Sequence, residues 1–307
     1  MAMEVSIMLE GQQGLNWPRW QRLAQAAEDL GFYGLFRSDH FVTPDANYED
    51  ALETWISFAW AASHTKRIAF GPLVSPVSFR NPSILAWQAA AVDSLAGGRL
   101  RLGVGAGWNA FEHEAFGFEL GVLDTRFARL EDSLNILRQL TRSTKPSSYE
   151  GTEFSIKDAY LQPRSPRADG PPIVIGGNGP KRTLPLVAKY ADEWNAVFQT
   201  AAGIVERNAI IDDLLAKEGR KPSDVKRTLM IRGVIGKTEA DLASRFSADE
   251  LADMRSREAI VGTPNEIVER LGKLSEAGVA GVQLQWLDLD DITGLELIAS
   301  DVLPQLT

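Results

Sequence analysis

The run Val5-Ser-Ile-Met-Leu-Glu-Gly-Gln-Gln-Gly-Leu-Asn16 decides the fold. Val5 to Leu9 is apolar apart from Ser6 and reads as a buried strand; the polar, glycine-containing residues after it read as a loop. The first strand of an open, doubly wound sheet that binds a dinucleotide runs into Gly-x-Gly-x-x-Gly. Glu10 to Asn16 does not supply that pattern. The doubly wound sheet stays as the alternative, and a closed barrel is the better reading.

Outward from this run the chain repeats one unit. Pro18 to Leu30 reads as a helix, with Pro18 suited to its first turn and Gly31 to its end. Further strands are predicted at Tyr33–Phe36, Arg67–Phe70, Leu100–Val104, Pro172–Ile175, Glu193–Phe198, Leu229–Ile235 and Gly281–Trp286. Helices are predicted at Glu49–Ser63, Pro82–Leu95, Arg126–Leu140, Thr183–Tyr190, Ile204–Glu218, Pro264–Ala277 and Ile292–Leu303. Eight strand–helix units over 307 residues predict an α/β protein, a (β/α)8 TIM barrel with insertions in its βα loops. The surplus falls in Thr43–Asp50, Asn109–Asp124, Lys145–Gly170 and Lys237–Val261. The best linker candidate, Pro163 to Pro172, is short, so one domain over 1–307 is expected.

Composition narrows the function. Acidic residues (41) exceed basic ones (32), giving net −9, which disfavours a nucleic-acid surface. Hydrophobic content of 44% and charged content of 24% are those of a globular protein. The chain has no cysteine, so disulfides, thiolate nucleophiles and cysteine-ligated metals are excluded. No apolar stretch approaches the roughly 20 residues that span a bilayer, and no basic segment leads into a long apolar run near the start. A cytoplasmic protein without membrane partners is expected.

A barrel places its chemistry at the C-terminal ends of its strands. Three such ends stand out: Ser38-Asp39-His40, Gly103-Val-Gly-Ala-Gly-Trp108 and Ile175-Gly-Gly-Asn-Gly179. His40 is one of only three histidines and titrates near neutrality, which suits it to acid–base work. Asp39 would orient the ring or bind a ligand hydroxyl; the competing reading is a purely structural Asp-His pair. Glu10, at the end of the first strand, is either a site carboxylate or a solvated loop residue. His64 reads as a helix-end cap. His113, between Glu112 and Glu114, reads as solvated. Neither His-Glu-x-x-His nor a His-x-His after the first strand occurs, so no metal is expected.

The glycines from Gly103 to Gly107 let a ligand approach the backbone, with Trp108 and Asn109 adding an aromatic wall and an amide. Tight strand–helix packing is the structural alternative. Gly176, Gly177, Asn178 and Gly179, followed by Pro180, suit a phosphate at a helix N-terminus with Arg182 as charge partner; a plain turn is the alternative. Gly71 to Pro82 forms a proline-stiffened strand exit suited to lie beneath a planar ring. Trp55, Trp60 and Trp87 fall in helices, where core or subunit packing is expected.

Taken in order, Arg37-Ser-Asp-His40, Pro76-Val-Ser-Phe-Arg-Asn-Pro82, Gly97-Gly-Arg-Leu-Arg-Leu-Gly-Val-Gly-Ala-Gly-Trp108, Phe127-Ala-Arg-Leu-Glu131, Ile173-Val-Ile-Gly-Gly177 and Tyr190-Ala-Asp-Glu-Trp194 resemble the bacterial luciferase-like superfamily of flavin and deazaflavin oxidoreductases. The late Gly262-Thr-Pro and Gly278-Val agree, and the branch using coenzyme F420 is the most similar. The resemblance implies a deazaflavin ring at the strand C-termini, faced by Asp39 and His40. It implies a bulge under the ring at Leu73, Val74 and Ser75, often with a non-prolyl cis peptide. Ala106, Gly107 and Trp108 would line the ring, and the Gly176–Gly179 run would hold the phosphate. One departure stands out: Trp108 occupies the position where sugar-phosphate dehydrogenases of this branch place a catalytic glutamate.

The function expected is hydride transfer between deazaflavin C5 and a small alcohol, carbonyl or activated alkene, in a pocket walled by Trp108 and Phe79. The second reading is an FMN-dependent monooxygenase supplied by a separate flavin reductase, as an F420 reductase would supply the first; the third is a flavin-binding protein without turnover. The resemblance also implies a homodimer through the outer helices.

Overall fold

Each helix forms where a polar cap meets an apolar stripe. In Trp17–Asp29 the Asn16 side chain accepts from the Arg19 amide, Pro18 sits in the first turn, and Trp20, Leu23, Ala24 and Ala27 are buried on one face. The chain then turns through Gly31 at φ +86°, the left-handed conformation that glycine adopts without steric cost. In this computed structural model, which describes residues 3–306, that helix packs over the parallel strands Glu4–Leu9 and Gly34–Arg37.

The eight predicted strands are all present, as Glu4–Leu9, Gly34–Arg37, Ala69–Pro72, Leu102–Gly105, Ile173–Gly176, Glu193–Val197, Lys226–Ile235 and Gly281–Gln285. All pair in parallel, the first between the second and the eighth, with Ile7 opposite Leu35 and Leu284. The seventh, sixth, fifth and fourth continue the ring. It closes through the third strand, which bridges the fourth at Phe70–Leu100 and, after an interruption at Leu73 and Val74, pairs with it again as Ser75–Pro76. The fold is therefore a (β/α)8 barrel.

Along the first strand, Ile7 and Leu9 join the large apolar layer under the helices, while Met8 packs inside with Phe36, Leu73, Val174 and Met230. Both faces are buried, which explains the nearly unbroken apolar reading of these strands. The inner wall beside the third strand is stripped of side chains. A Cβ on Gly71 would lie 1.9 Å from the Arg101 carbonyl oxygen, and one on Gly103 would lie 2.0 Å from that of Pro72. The Leu73–Val74 peptide bond is cis, as the resemblance implied. Val74 fills the freed space, its methyls 2.6 Å and 3.1 Å from where Cβ atoms on Gly105 and Gly176 would stand.

The long loops carry structure of their own. Asn109–Asp124 holds the helix Ala110–Phe116, Lys145–Gly170 holds a hairpin of Ser147–Glu150 and Ser155–Ala159, and Lys237–Val261 holds Glu239–Arg245 and Ala248–Ser256. Both helices of the last loop start in capping boxes, Thr238 with Asp241 and Ser247 with Glu250. Within Pro163–Pro172, the buried Ser165 hydroxyl donates to Asp93 at 2.5 Å, tying that stretch to the body of the barrel. Among the described residues, no helix is long and apolar enough to cross a membrane.

Candidate active site

A cavity of about 970 Å³ opens at the C-terminal ends of the strands. Of the candidates named from the sequence, Glu10, His40, Leu73, Val74, Ala106, Gly107, Trp108, Gly176 and Gly177 line it. Asp39, Ser75, Asn109, Asn178, Gly179 and Arg182 are not among its lining residues.

His40 is held from behind. Its Nδ1 donates to Glu112 Oε2 at 2.8 Å, and its ring meets Trp108 edge-on with centroids 5.6 Å apart. Glu112 is fully buried; its other oxygen accepts from the backbone amides of Phe41 and Val42. The carboxylate stands there because Asn109 caps its helix. Asn109 Oδ1 accepts from the Glu112 amide at 3.3 Å, and Nδ2 donates to the Val42 carbonyl at 3.2 Å. Burial disfavours the charged ring, but the hydrogen bond and charge of Glu112, aided by Glu10 and Asp39, outweigh it and raise His40 above its usual 6.5. Nδ1 is engaged, so Nε2 is the nitrogen left for the cavity.

Asp39 plays a different part from the one anticipated. It is buried, accepts from Ser75 Oγ at 2.6 Å, and pairs with Arg80 at 2.5 Å. Ser75 and Asp39 thus clamp the bulge to the second strand from behind the wall. Asn109, the capping residue, is likewise buried behind it.

Glu10 accepts from Gln285 Nε2 at 2.6 Å and from Gln12 Nε2 at 3.0 Å. Gln12 in turn accepts from the Ser38 hydroxyl at 2.7 Å, and Ser38 Oγ accepts from the Gly11 amide at 2.8 Å. Beneath this loop lies the fully buried Arg37, donating to the carbonyls of Ser38 and Leu52 and to Ser57 Oγ. A Cβ on Gly11 would fall 2.1 Å from its guanidinium, so any other residue there would have to displace the Arg37 side chain.

At the glycine loop, Gly176 and Gly177 reach the cavity, and Gly177 has φ +117°. Asn178 instead holds the Val197 backbone at both its ends, at 2.8 and 3.0 Å. Gly179 accepts from the amides of Thr183 and Leu184, so the helix begins at Thr183 and Pro180 opens the turn before it. Arg182 pairs with Asp124 and lies over Phe127. The cation that does line the cavity is Arg126. It donates to the Gly107 carbonyl, and its Nε is buried without a partner.

Three expectations are corrected. His113 is buried: its Nδ1 donates to the Asn109 carbonyl at 2.7 Å, which leaves Nε2 to accept from Ser78 Oγ at 2.7 Å. Phe79 packs with Phe41, Phe118 and His113 behind the wall and does not line the cavity. Glu112, placed in a solvated segment with His113, is the partner of His40; the signal was Asn109 three residues ahead of it, a helix-start pattern. His64 caps its helix as expected, 2.9 Å from the Trp60 carbonyl. Trp55 is in the core, Trp60 stacks on His64, and Trp87 is exposed.

The model of the luciferase-like monooxygenase family matches residues 3–253. The chain belongs to that family. Family membership makes it an enzyme, an oxidoreductase. It is 27% identical, over 92% of each chain, to an F420-dependent glucose-6-phosphate dehydrogenase of Amycolatopsis mediterranei (strain U-32). Its fold is shared with an F420-dependent secondary alcohol dehydrogenase in complex with an F420-acetone adduct, at TM-score 0.85, 21% identity and full coverage of both chains. It is shared as well with the monooxygenase RslO1 from Streptomyces bottropensis, at TM-score 0.83 and 20% identity over 99% and 100% of the two chains.

Proposed function

We propose that this luciferase-like enzyme is an F420-dependent oxidoreductase that transfers a hydride to or from a small organic substrate, with His40 moving the proton. The observation that carries this reading is the buried Glu112 carboxylate 2.8 Å behind His40 Nδ1, which turns a cavity-lining imidazole into an oriented proton donor. The fit of a deazaflavin rests on the wall itself. Gly105 and Gly176 leave only Val74 between the backbone and the cavity, and the unpartnered Arg126 Nε stands beside the Gly107 carbonyl. A cavity of about 970 Å³ is also at the upper end of the range for small-molecule sites.

When bound, a deazaflavin supplies or accepts the hydride at its C5. Val74, Ala106 and Gly107 would seat the ring; Gly176, Gly177 and Arg126 would hold the phosphate. Trp108 shields His40 from water on one edge. His40 Nε2 donates a proton to the substrate oxygen or carbon when the substrate is reduced and takes it back when the substrate is oxidised. Glu112 keeps the ring's tautomer and rotation fixed through either step. A homodimer in the cytoplasm completes the proposal, supported by exposed Ile84, Trp87 and Leu95 on one helix and by a chain free of cysteine.

The second reading, an FMN-dependent monooxygenase fed by a separate reductase, is favoured by the shared fold with RslO1. Binding without turnover is the third. Parallel titration of the purified protein with F420 and FMN, each oxidised and reduced, followed by tryptophan fluorescence, separates them. Tighter F420 binding is expected. Tighter binding of reduced FMN moves the search to oxygen chemistry, and turnover unaffected by His40→Ala supports mere binding.

A further inference from the structure

The cavity is divided chemically by the strand order. The exits of the third to seventh strands form one contiguous arc, lined by Leu73, Val74, Trp108, Phe127, Val197 and Met230. The exits of the eighth, first and second strands form the other, lined by Glu10, Gln12, Thr43, Asp45, Asn47 and Glu49. His40 stands with the polar arc. No lysine lines the cavity, and its one arginine, Arg126, is tied to the Gly107 carbonyl on the apolar side. Opposite it are three carboxylates, Glu10, Asp45 and Glu49. Among the described residues none of the three is in a salt bridge; Glu10 is held by the amides of Gln12 and Gln285, and Glu49 by Asn47 at 2.6 Å.

We infer that the polar arc takes a non-anionic, hydroxyl-rich substrate and rejects phosphate esters, unlike the glucose-6-phosphate dehydrogenases this chain resembles. The inference rests on the F420 reading in one respect: the ring must occupy the apolar arc and so leave the polar arc to the substrate. Carboxylates and side-chain amides present acceptors and donors that match alcohol groups. A phosphate dianion among three carboxylates meets like charge with no cation on that arc except the Glu112-paired His40, and like charges set against a ligand are an effective means of exclusion. Among the described residues, the cationic groups in the wall are His40, paired with Glu112, and Arg126, which has no carboxylate partner but stands across the cavity on the glycine side, where it would meet the cofactor.

Two measurements test this. In the F420-loaded enzyme, matched neutral and phosphorylated pairs (glucose with glucose 6-phosphate, glycerol with glycerol 3-phosphate) are compared as substrates and as inhibitors of F420 turnover. The neutral member is expected to act at least tenfold more strongly, and Asp45→Asn/Glu49→Gln to narrow that gap. A phosphorylated member that acts equally or better overturns the inference.

The second measurement needs neither cofactor nor substrate. The fluorescence of Trp108, isolated as the difference from Trp108→Phe, is quenched with iodide and with caesium at constant ionic strength, each normalised to N-acetyltryptophanamide. Caesium should quench more effectively, and the double variant should reduce the difference. Equal or stronger iodide quenching overturns the inference whatever the cofactor. Failure to bind F420 with caesium still favoured removes the proposed function alone.

Discussion

At the scale of single residues, the site is one proton-bearing side chain and the carboxylate that controls it. His40→Ala should lower turnover by about 100- to 10,000-fold, the usual contribution of general acid–base catalysis. Cofactor affinity should change only a few-fold, because the glycine wall lies elsewhere. Steady-state kinetics beside a fluorescence titration read both, and equal losses would remove the proton-transfer role. Glu112→Gln keeps the volume and removes the charge. His40 is raised in the native protein, so its protonated limb in the pH–rate profile should move to lower pH. The same shift has a sign in stability. A raised histidine contributes fully below its unfolded value and loses that contribution as pH climbs through the folded one. The stability difference between the wild type and Glu112→Gln, from urea unfolding, should therefore be larger at pH 6 than at pH 9.

At the scale of elements, the wall depends on which strand ends lack side chains. Gly177 has open space for a Cβ, its nearest neighbour being Thr183 at 3.5 Å, but its φ of +117° is one that other residues adopt only under strain. Gly177→Val should cost about 1–3 kcal/mol there. We expect weaker cofactor binding by isothermal titration with an unchanged far-UV circular dichroism spectrum; unaltered affinity would take Gly177 out of the cofactor site. Strand and helix identities were legible because their apolar period and caps are local. The helix Ala110–Phe116 was not, because seven residues inside a polar stretch give little period, although Asn109 marked its start. Glu112 was missed with it.

At the scale of the molecule, the exposed Ile84, Trp87 and Leu95 of helix Pro82–Leu95 and Ile56 of the adjacent helix Thr54–His64 form an apolar face that a monomer would leave in water. Trp87→Glu should convert a dimer to a monomer in sedimentation equilibrium. A wild-type protein that sediments as a monomer would end the homodimer reading.

The sequence by itself determined the barrel, its eight strands and the identity of its chemically active ends, because strand period, helix caps and glycine-rich exits are properties of neighbouring residues. Only the tertiary structure decided how those ends are used. Asp39 turned to Arg80 and Ser75, Arg126 and not Arg182 came to line the cavity, and Glu112 came to stand behind His40 from 72 residues away. Each outcome is a competition between partners distant in the chain, settled by burial and charge, and no local pattern carries its result.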